Sequence, residues 1–422
     1  MKIIFKIAQS ACFFLFSFFC FALFLLPALA MRIKRSCSKR PAKPEYVFVG
    51  IHEIANNISE LSAALAKQHI TVRSARSHAG VFYGETDAQG ASALALKIRL
   101  FSEPLCRSRH LPWILLRADQ AWFIWCTSLL ALNLDYILYR LAGVDLVVQH
   151  CGDDVRCRHL HDALFEKYTP GIAIGSYPAL PLVDMLRKYY RQFMAERFAK
   201  TISSRNQATF QTGMLGHFTF SQTSLLTGPR RPGEIPVLVH APSNRAVKRT
   251  DLVLEAVETL RQKGYAFEFH LLEHIPNHQV VSMLLAADIV VDQPATWPGR
   301  FGIEGAAASC AIVSGNYDVF TGLPASPIIQ FPVDANLLTS CLEKLLADRA
   351  YLESVMAACW GFWKEKYSEE AFIKNYFKIW NNQHDTFPPL PEQKAILLAA
   401  AKGKLQRLFI KYFYFPSNQD NR

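Results

Sequence analysis

The sequence predicts an α/β protein: two Rossmann-like, doubly wound domains facing a cleft, preceded by a hydrophobic helix. Three observations predict it. Short apolar runs that stop at Gly or a polar loop alternate with helical apolar patterns in two series, one opening at Tyr46 and one near Ile235. A Gly/Pro/Arg cluster, Gly228 to Gly233, separates the series. An uncharged apolar run, Ile7 to Met31, precedes both. Alternating strand and helix argues for mostly parallel sheets with helices on both faces. The 422 residues suffice for two such domains. The expected division is 1–31 hydrophobic segment, 45–228 first domain, 234–385 second domain and 386–422 tail. Ligands of such sheets bind in the crevice at the carboxyl ends of the strands.

Lys2 and Lys6 precede the apolar run, which is long enough to cross a hydrocarbon core of about 30 Å as a helix. The segment fits a signal anchor, a cleaved signal peptide ending at Ala28-Leu29-Ala30, or an extension upstream of a start at Met31. Arg32, Lys34, Arg35, Lys39 and Arg40 follow at once. They outweigh the two lysines and the amino terminus before the run, which keeps the downstream chain cytosolic and opposes export. The expected location is membrane-associated: one N-terminal transmembrane helix, with the soluble domains on the cytosolic side.

The balance of 46 basic and 35 acidic side chains, net +11, suits an acidic partner such as a nucleotide or an anionic membrane surface. The excess gathers near the two ends, which favours membrane over nucleic acid. No zinc-finger spacing or RNA-binding signature is present, so no nucleic acid partner is expected. Ten cysteines are scattered through apolar surroundings, as in a reducing compartment rather than a disulfide framework.

In the first series, Tyr46 to Val49 reads as a strand, "GIHEIANN" as its loop, and Ile58, Leu61, Ala64 and Leu65 as a helix face. "HITVRSAR" and "LALKIRLF" read as strands, Trp122 to Gly143 as a helical region, and "DLVVQ" as a strand. The polar stretch "VVQHCGDDVRCRHLH" then follows. Its Cys151, Cys157, His159 and His161 do not have a structural zinc spacing, so no metal site is expected. In the second series the strands are "PVLVHA", "FEFHLL", "DIVVD", "AIVSG" and "SPIIQFP". Thr250 is placed to cap the first helix and Gly264 to end it.

Arg245 and Lys248 lie in the turn between the first strand and helix of that series. Backbone N–H groups at such a turn already favour an anion, and Arg and Lys add the bidentate and point-charge halves of a diphosphate clamp. A solvated charge cluster is the plain alternative. Further on, a strand ends at Asp292, and Gly299 and Gly302 flank a turn that lets backbone approach a ligand. Glu304 follows in a helix of small residues. Its carboxylate can accept hydrogen bonds from two sugar hydroxyls, or it is a first-turn acid favoured by the helix dipole.

The stretches "HAPSNRAVKRTDLVLEAVETL" and "DIVVDQPATWPGRFGIEGAAASCAIV" resemble the donor half of GT-B glycosyltransferases, in the large retaining family called family 4 or group 1. The resemblance of fold covers 45–385; the motifs lie in 235–315. It implies that Arg245 and Lys248 hold the donor diphosphate. It also implies that Glu304 is the second Glu of the family's Glu-x7-Glu pattern and binds the ribose. The first Glu of that pattern falls at Thr296. The usual Gly after the clamp Lys is Arg249, and the usual Gly and Pro after the Glu-helix are Ser309 and Ala311. Asp292 or Gln293 would have to replace the first Glu at the sugar. In the first half, His150 matches the family's cleft histidine, and Gly152 to Arg156 resembles a Gly-Ser-Asp-x-Arg turn. His150 and Asp154 are therefore the candidates for orienting the reacting sugar, with helix capping by Asp154 as the structural alternative. The loop after the first strand implies His52, Glu53 and Asn56 at the acceptor.

The resemblance implies a retaining, hexosyltransferase-like enzyme. It would move sugar from a nucleotide-diphosphate sugar to a glycan or lipid-linked acceptor, with no cofactor and no obligatory metal. The departures leave open a catalytically weak or inactive GT-B-fold binding protein, or another nucleotide-binding enzyme such as an epimerase. In the tail, Leu397, Leu398, Ala401, Leu405, Leu408, Phe409 and Tyr412 form an apolar stripe beside Lys404, Arg407 and Lys411. The stripe suits either an anionic lipid surface or packing onto the protein body.

Overall fold

A computed structural model describes residues 2–53, 56–78, 107–152, 154–157, 160, 162–163, 180–202, 225–294, 298–315, 326–383 and 392–413. The chain forms two compact units. The first comprises Met1–Arg156, Leu182–His217 and Asn375–Phe387; the second comprises Cys157–Pro181, Phe218–Lys374 and Pro388–Arg422.

The first unit opens with α1 (Lys2–Ser36), then β1 (Tyr46–His52), α2 (Asn57–Lys67), β2 (Thr71–His78), α3 (Leu111–Arg117) and β3 (Gln120–Ile124). A 3-10 turn (Ala131–Asn133), α4 (Leu134–Ala142), β4 (Asp145–Gln149), α5 (Pro181–Phe198) and β5 (Lys200–Ile202) follow. Its five strands are all parallel, in the order β2-β1-β3-β4-β5. β3 is buried at every residue, as a central parallel strand covered on both faces must be. The apolar run from Trp122 is therefore strand first and helix only from Leu134. Continuous hydrophobicity does not separate a buried strand from a buried helix, which is why the sequence reads as helical there. The strand expected at "LALKIRLF" lies outside the described residues.

The second unit contains β6 (Val237–His240), the single turn α6 (Arg245–Lys248), α7 (Thr250–Gln262), β7 (Glu268–Leu271), α8 (Asn277–Leu284) and β8 (Ile289–Val291). It continues with α9 (Arg300–Ala307), β9 (Ala311–Gly315), β10 (Ile329–Phe331), α10 (Ala335–Ala347), α11 (Arg349–Lys366) and α12 (Glu369–Trp380). Two tail helices, α13 (Gln393–Ala400) and α14 (Lys404–Phe413), complete it. Its five strands are also parallel, in the order β10-β9-β8-β6-β7. Both sheets thus reverse strand order once, between β1 and β3 and between β6 and β8. That switch point opens the crevice in which doubly wound sheets bind ligands.

One boundary differs from the sequence reading. The end of α12 belongs to the first unit. There Tyr376 stacks on Trp122 at 5.7 Å, and the Arg40 guanidinium lies 3.9 Å over the Trp380 ring. The tail stripe is divided: Leu397 and Ala401 are buried, whereas Leu405, Leu408 and Tyr412 stand exposed beside Lys404 and Lys411.

The start of α7 is a correction. Its cap position is Arg249, at φ 47° in the left-handed region, and the Thr250 hydroxyl bonds to His240 instead of capping. Ser309 also has a left-handed φ, 59°. Both positions hold the backbone that favours Gly. We expect Arg249→Gly to be more stable than Arg249→Ala by about 1 kcal/mol in chemical denaturation, since both lose the Asp251 ion pair and only Gly relieves the strain. Equal stability of the two variants would remove this account.

Candidate functional site

The carboxyl ends of β6 and β8 meet at the switch point of the second unit. β6 ends at His240, fully buried, whose Nδ1 donates to the Val291 carbonyl at 2.7 Å. A carbonyl can only accept, so Nδ1 carries the proton and Nε2 accepts from Thr250 Oγ1 at 3.0 Å. Burial pushes the His240 pKa down, which keeps the ring neutral.

Lys248 projects from α6 to Asp292 at the end of β8, with Nζ 2.8 Å from Oδ1 and side chains 13% and 0% exposed. The other carboxylate oxygen, Oδ2, accepts the N–H groups of Gly299 and Gly302 at the start of α9. This explains the glycines. A Cβ on Gly302 would lie 2.9 Å from Asp292 Oδ2 and 2.6 Å from Pro298 Cβ, and one on Gly299 would lie 2.7 Å from Gln293 Nε2. The group that approaches this backbone closely is the protein's own carboxylate. Gly305 answers to packing: a Cβ there would meet Val290 and Ile312 at 2.9 and 3.0 Å, so α9 sits directly on β8 and β9.

Glu304 lies in the second turn of α9, not the first, so the dipole-favoured first-turn reading does not describe it. It is 3% exposed. Its Oε1 accepts Arg300 Nε at 2.7 Å, and Asn277 Nδ2 lies 3.4 and 3.3 Å from the two oxygens. Burial raises its pKa; Arg300 and Asn277 oppose that, and the charge of Asp292 adds to it. Glu304 and Asp292 therefore share one electrostatic neighbourhood, and through Asp292 so does Lys248. Arg245 stands on the exposed side of the same turn, in a two-point ion pair with Glu273 that raises the pKa of Arg245 and lowers that of Glu273.

Of the residues that sequence reasoning singled out, Lys248, Asp292, Gly299 and Gly302 are joined by hydrogen bonds, Glu304 follows Gly302 in α9, and Arg245 faces Glu273 instead. Sequence reasoning missed their partners. Arg300 was legible from its i,i+4 spacing to Glu304. Glu273 and Asn277 were not, since 28 and 27 residues separate them from Arg245 and Glu304. Each cation of this edge already faces a carboxylate: Lys248 with Asp292, Arg245 with Glu273, Arg300 with Glu304. Thr296 lies outside the described residues.

In the first unit, His150 follows β4 with its side chain fully buried. Its Nδ1 is 3.2 Å from Asp154 Oδ2, and Oδ1 of Asp154 accepts the N–H groups of Cys151 and Gly152 at 3.2 and 2.9 Å. Burial alone would raise the Asp154 pKa; the His150 hydrogen bond and charge and the two N–H groups outweigh it and lower the pKa. An ionised Asp154 fixes the proton on Nδ1. His150 Nε2 is buried with no hydrogen-bond partner among the described residues. The turn thus orients the imidazole, and Asp154 caps no described helix. Cys126 joins this pair, the three sets of ligand atoms lying within 4.8 Å of one another. The Cys126 thiol donates to the Arg191 carbonyl at 3.4 Å, and burial pushes its pKa up, so it is a neutral thiol rather than a nucleophile. Three donors that a borderline-soft divalent ion accepts are present, but Asp154 and the thiol already serve internal hydrogen bonds.

Of the loop candidates, His52 stacks on Trp125 with centroids 5.4 Å apart. Glu53 is buried, accepting Ile58 N at 3.0 Å and facing Arg76 at 3.6 Å, and so builds the start of α2. Asn56 is the left-handed cap residue of α2, with φ 62° and no side-chain cap bond. Two of the three are thus committed to local structure.

No protein-family model matches the chain, and a search of curated proteins found no match. Solved structures are similar at low identity. Anabaena HepE in complex with UDP and glucose aligns with TM-score 0.47 and 11% identity, covering 81% of this chain and 100% of that one. A mutant of S. aureus TarM with fondaparinux, alpha-GlcNAc-glycerol and UDP aligns with TM-score 0.44 and 11% identity, covering 64% and 58%. An alpha-glucosyltransferase in complex with UDP and a DNA 13-mer aligns with TM-score 0.44 and 11% identity, covering 79% and 98%.

Proposed function

We propose that the chain is a membrane-associated glycosyltransferase that takes sugar from a nucleotide-diphosphate donor, with retention, and passes it to a glycan or lipid-linked acceptor. The observation that supports this reading is the connected edge of Lys248, Asp292, Gly299, Gly302 and Glu304 at the switch point of the second sheet. Lys248 and Arg245 would meet the diphosphate, and Glu304 would meet the ribose. As the sugar departs, charge grows on the leaving diphosphate, and fixed cations beside a helix start stabilise it without an obligatory metal. His150, held by Asp154, would offer its Nε2 to a sugar hydroxyl. His52 is the candidate acceptor contact of the first loop; Glu53 and Asn56 would position it. The soluble units belong on the cytosolic side of the membrane. A nucleotide-sugar panel read by release of nucleoside diphosphate tests this. No turnover with any donor would leave the second reading.

That second reading, a weak or inactive binding protein, has its own observation: Asp292 already occupies the seat made by Lys248 and two backbone N–H groups. A diphosphate arriving there meets a resident anion. Asp292→Asn removes the charge and frees Lys248, so affinity for nucleoside diphosphate, measured calorimetrically, is expected to rise roughly tenfold. Turnover then separates the readings. A fall in kcat despite tighter binding makes Asp292 a sugar-binding group, and a rise makes it a block. Unchanged affinity would place the diphosphate elsewhere.

A further inference from the structure

We propose that α1 does not cross a membrane but lies in its surface, holding the first unit flat on an anionic lipid leaflet. This deepens the membrane part of the proposed function. The inference starts from two anchor points. Ser17 Oγ, fully buried, accepts the N–H of Ala131 at 3.0 Å at the entrance to α4. At the other end of α1, the Arg35 guanidinium donates to the carbonyls of Ala142 and Ala118 at 2.8 and 2.9 Å, at the exits of α4 and α3. Ser17 and Arg35 are 18 residues apart, a rise of about 27 Å along a helix. α1 is therefore tied to the first unit at two points separated by most of the length a membrane span would need.

The face between those points is packed. Cys20 and Ala28 belong to the hydrophobic core of the first unit, and Phe16, Phe21, Phe24 and Leu25 lie against it. A span must be solvated by lipid all round. This helix could be so only by leaving the core or by drawing α3, α4 and the buried polar group of Ser128, Asn133 and Asp135 into hydrocarbon.

The opposite face of α1 is apolar and exposed: Leu15 73%, Phe19 64%, Leu23 55%, Leu26 75% and Ile33 68%. A stripe of this length presents an area at or above the few hundred Å² that a soluble monomer exposes. Cations rim one end of it. Arg32 and Lys34 are exposed there, with Arg117 and Arg140 at the last turns of α3 and α4, beside the carbonyls that Arg35 holds. Leu132, exposed beside the Ala131 anchor, extends the apolar surface toward α5, whose Tyr190 hydroxyl donates to the Leu132 carbonyl. An apolar helix face with a basic rim fits the boundary of an anionic leaflet, where apolar area and charge attraction add. The net charge of +11 accords with that occupant rather than with a second copy, which would bring like charge to the rim.

The experiment uses the full chain in sealed right-side-out and inverted membrane vesicles with a membrane-impermeant maleimide. One variant carries Ile3→Cys in a Cys12→Ser, Cys37→Ser background, and a second keeps only Cys37 of that set; labelling of the background is subtracted. Position 3 and position 37 are expected to react from the same side, in inverted vesicles only. Reaction of position 3 in right-side-out vesicles would show a crossing helix and overturn the proposal. In parallel, Phe19→Glu with Leu26→Glu is expected to abolish flotation with phosphatidylglycerol vesicles while leaving the thermal transition in place. Undiminished flotation, or a wild-type chain that stays off the vesicles as a dimer, would also overturn it. Neither readout depends on donor turnover, so the inference and the proposed enzymatic activity fail separately.

Discussion

Lys248→Ala is expected to lower kcat/KM for the nucleotide-sugar donor by roughly a hundredfold, about 2.7 kcal/mol of transition-state stabilisation. Lys248 is largely buried and faces the α9 start through Asp292, so its charge acts where water screens it little. Arg245, 59% exposed and tied to Glu273, should lose less. The single Lys248 variant also leaves Asp292 buried without its cation, and a stability loss could then imitate a loss of catalysis. The double variant Lys248→Met, Asp292→Asn removes both charges and separates the effects. It should recover the thermal transition of the wild type and still lack turnover. Single and double variants with wild-type turnover would show that no diphosphate sits on this edge.

The second large effect is structural. A chain starting at Met31 is expected to lose the soluble, cooperatively folded state of its first unit. Removing residues 1–30 strips Cys20 and Ala28 from the core, along with the packing of Phe16, Phe21, Phe24 and Leu25. At about 1–1.5 kcal/mol for each large side chain, half-buried, the loss is on the order of 5 kcal/mol, comparable to the whole stability of an ordinary domain. It also leaves the Ala131 N–H without Ser17. The readout is the amount of monomer by size exclusion and its thermal transition. A truncated chain that stays monomeric with an unchanged transition would make α1 an appendage and favour a start at Met31 or a cleaved leader.

The sequence by itself determined the two series of strands and helices, because parallel strands buried on both faces read as apolar runs and their helices as periodic stripes. It also singled out Arg245, Lys248, Gly299 and Gly302 as candidates, because cations and glycines at strand-ending turns suit an anion, while a solvated charge cluster reads the same way. The left-handed backbone at Arg249 and Ser309, φ 47° and 59°, was not legible, since neither residue type announces it.

Only the tertiary structure decided what those residues touch. That Asp292 fills the seat between Lys248 and the α9 backbone, and that Glu273 holds Arg245, depends on side chains brought together by strand order across separations of 28 to 44 residues. Local periodicity carries no information about such pairs. The same holds for α1. Its composition alone reads as a span, because hydropathy counts residues without regard to face. The bonds of Ser17 and Arg35 to a folded unit show that one side of the helix is already spoken for.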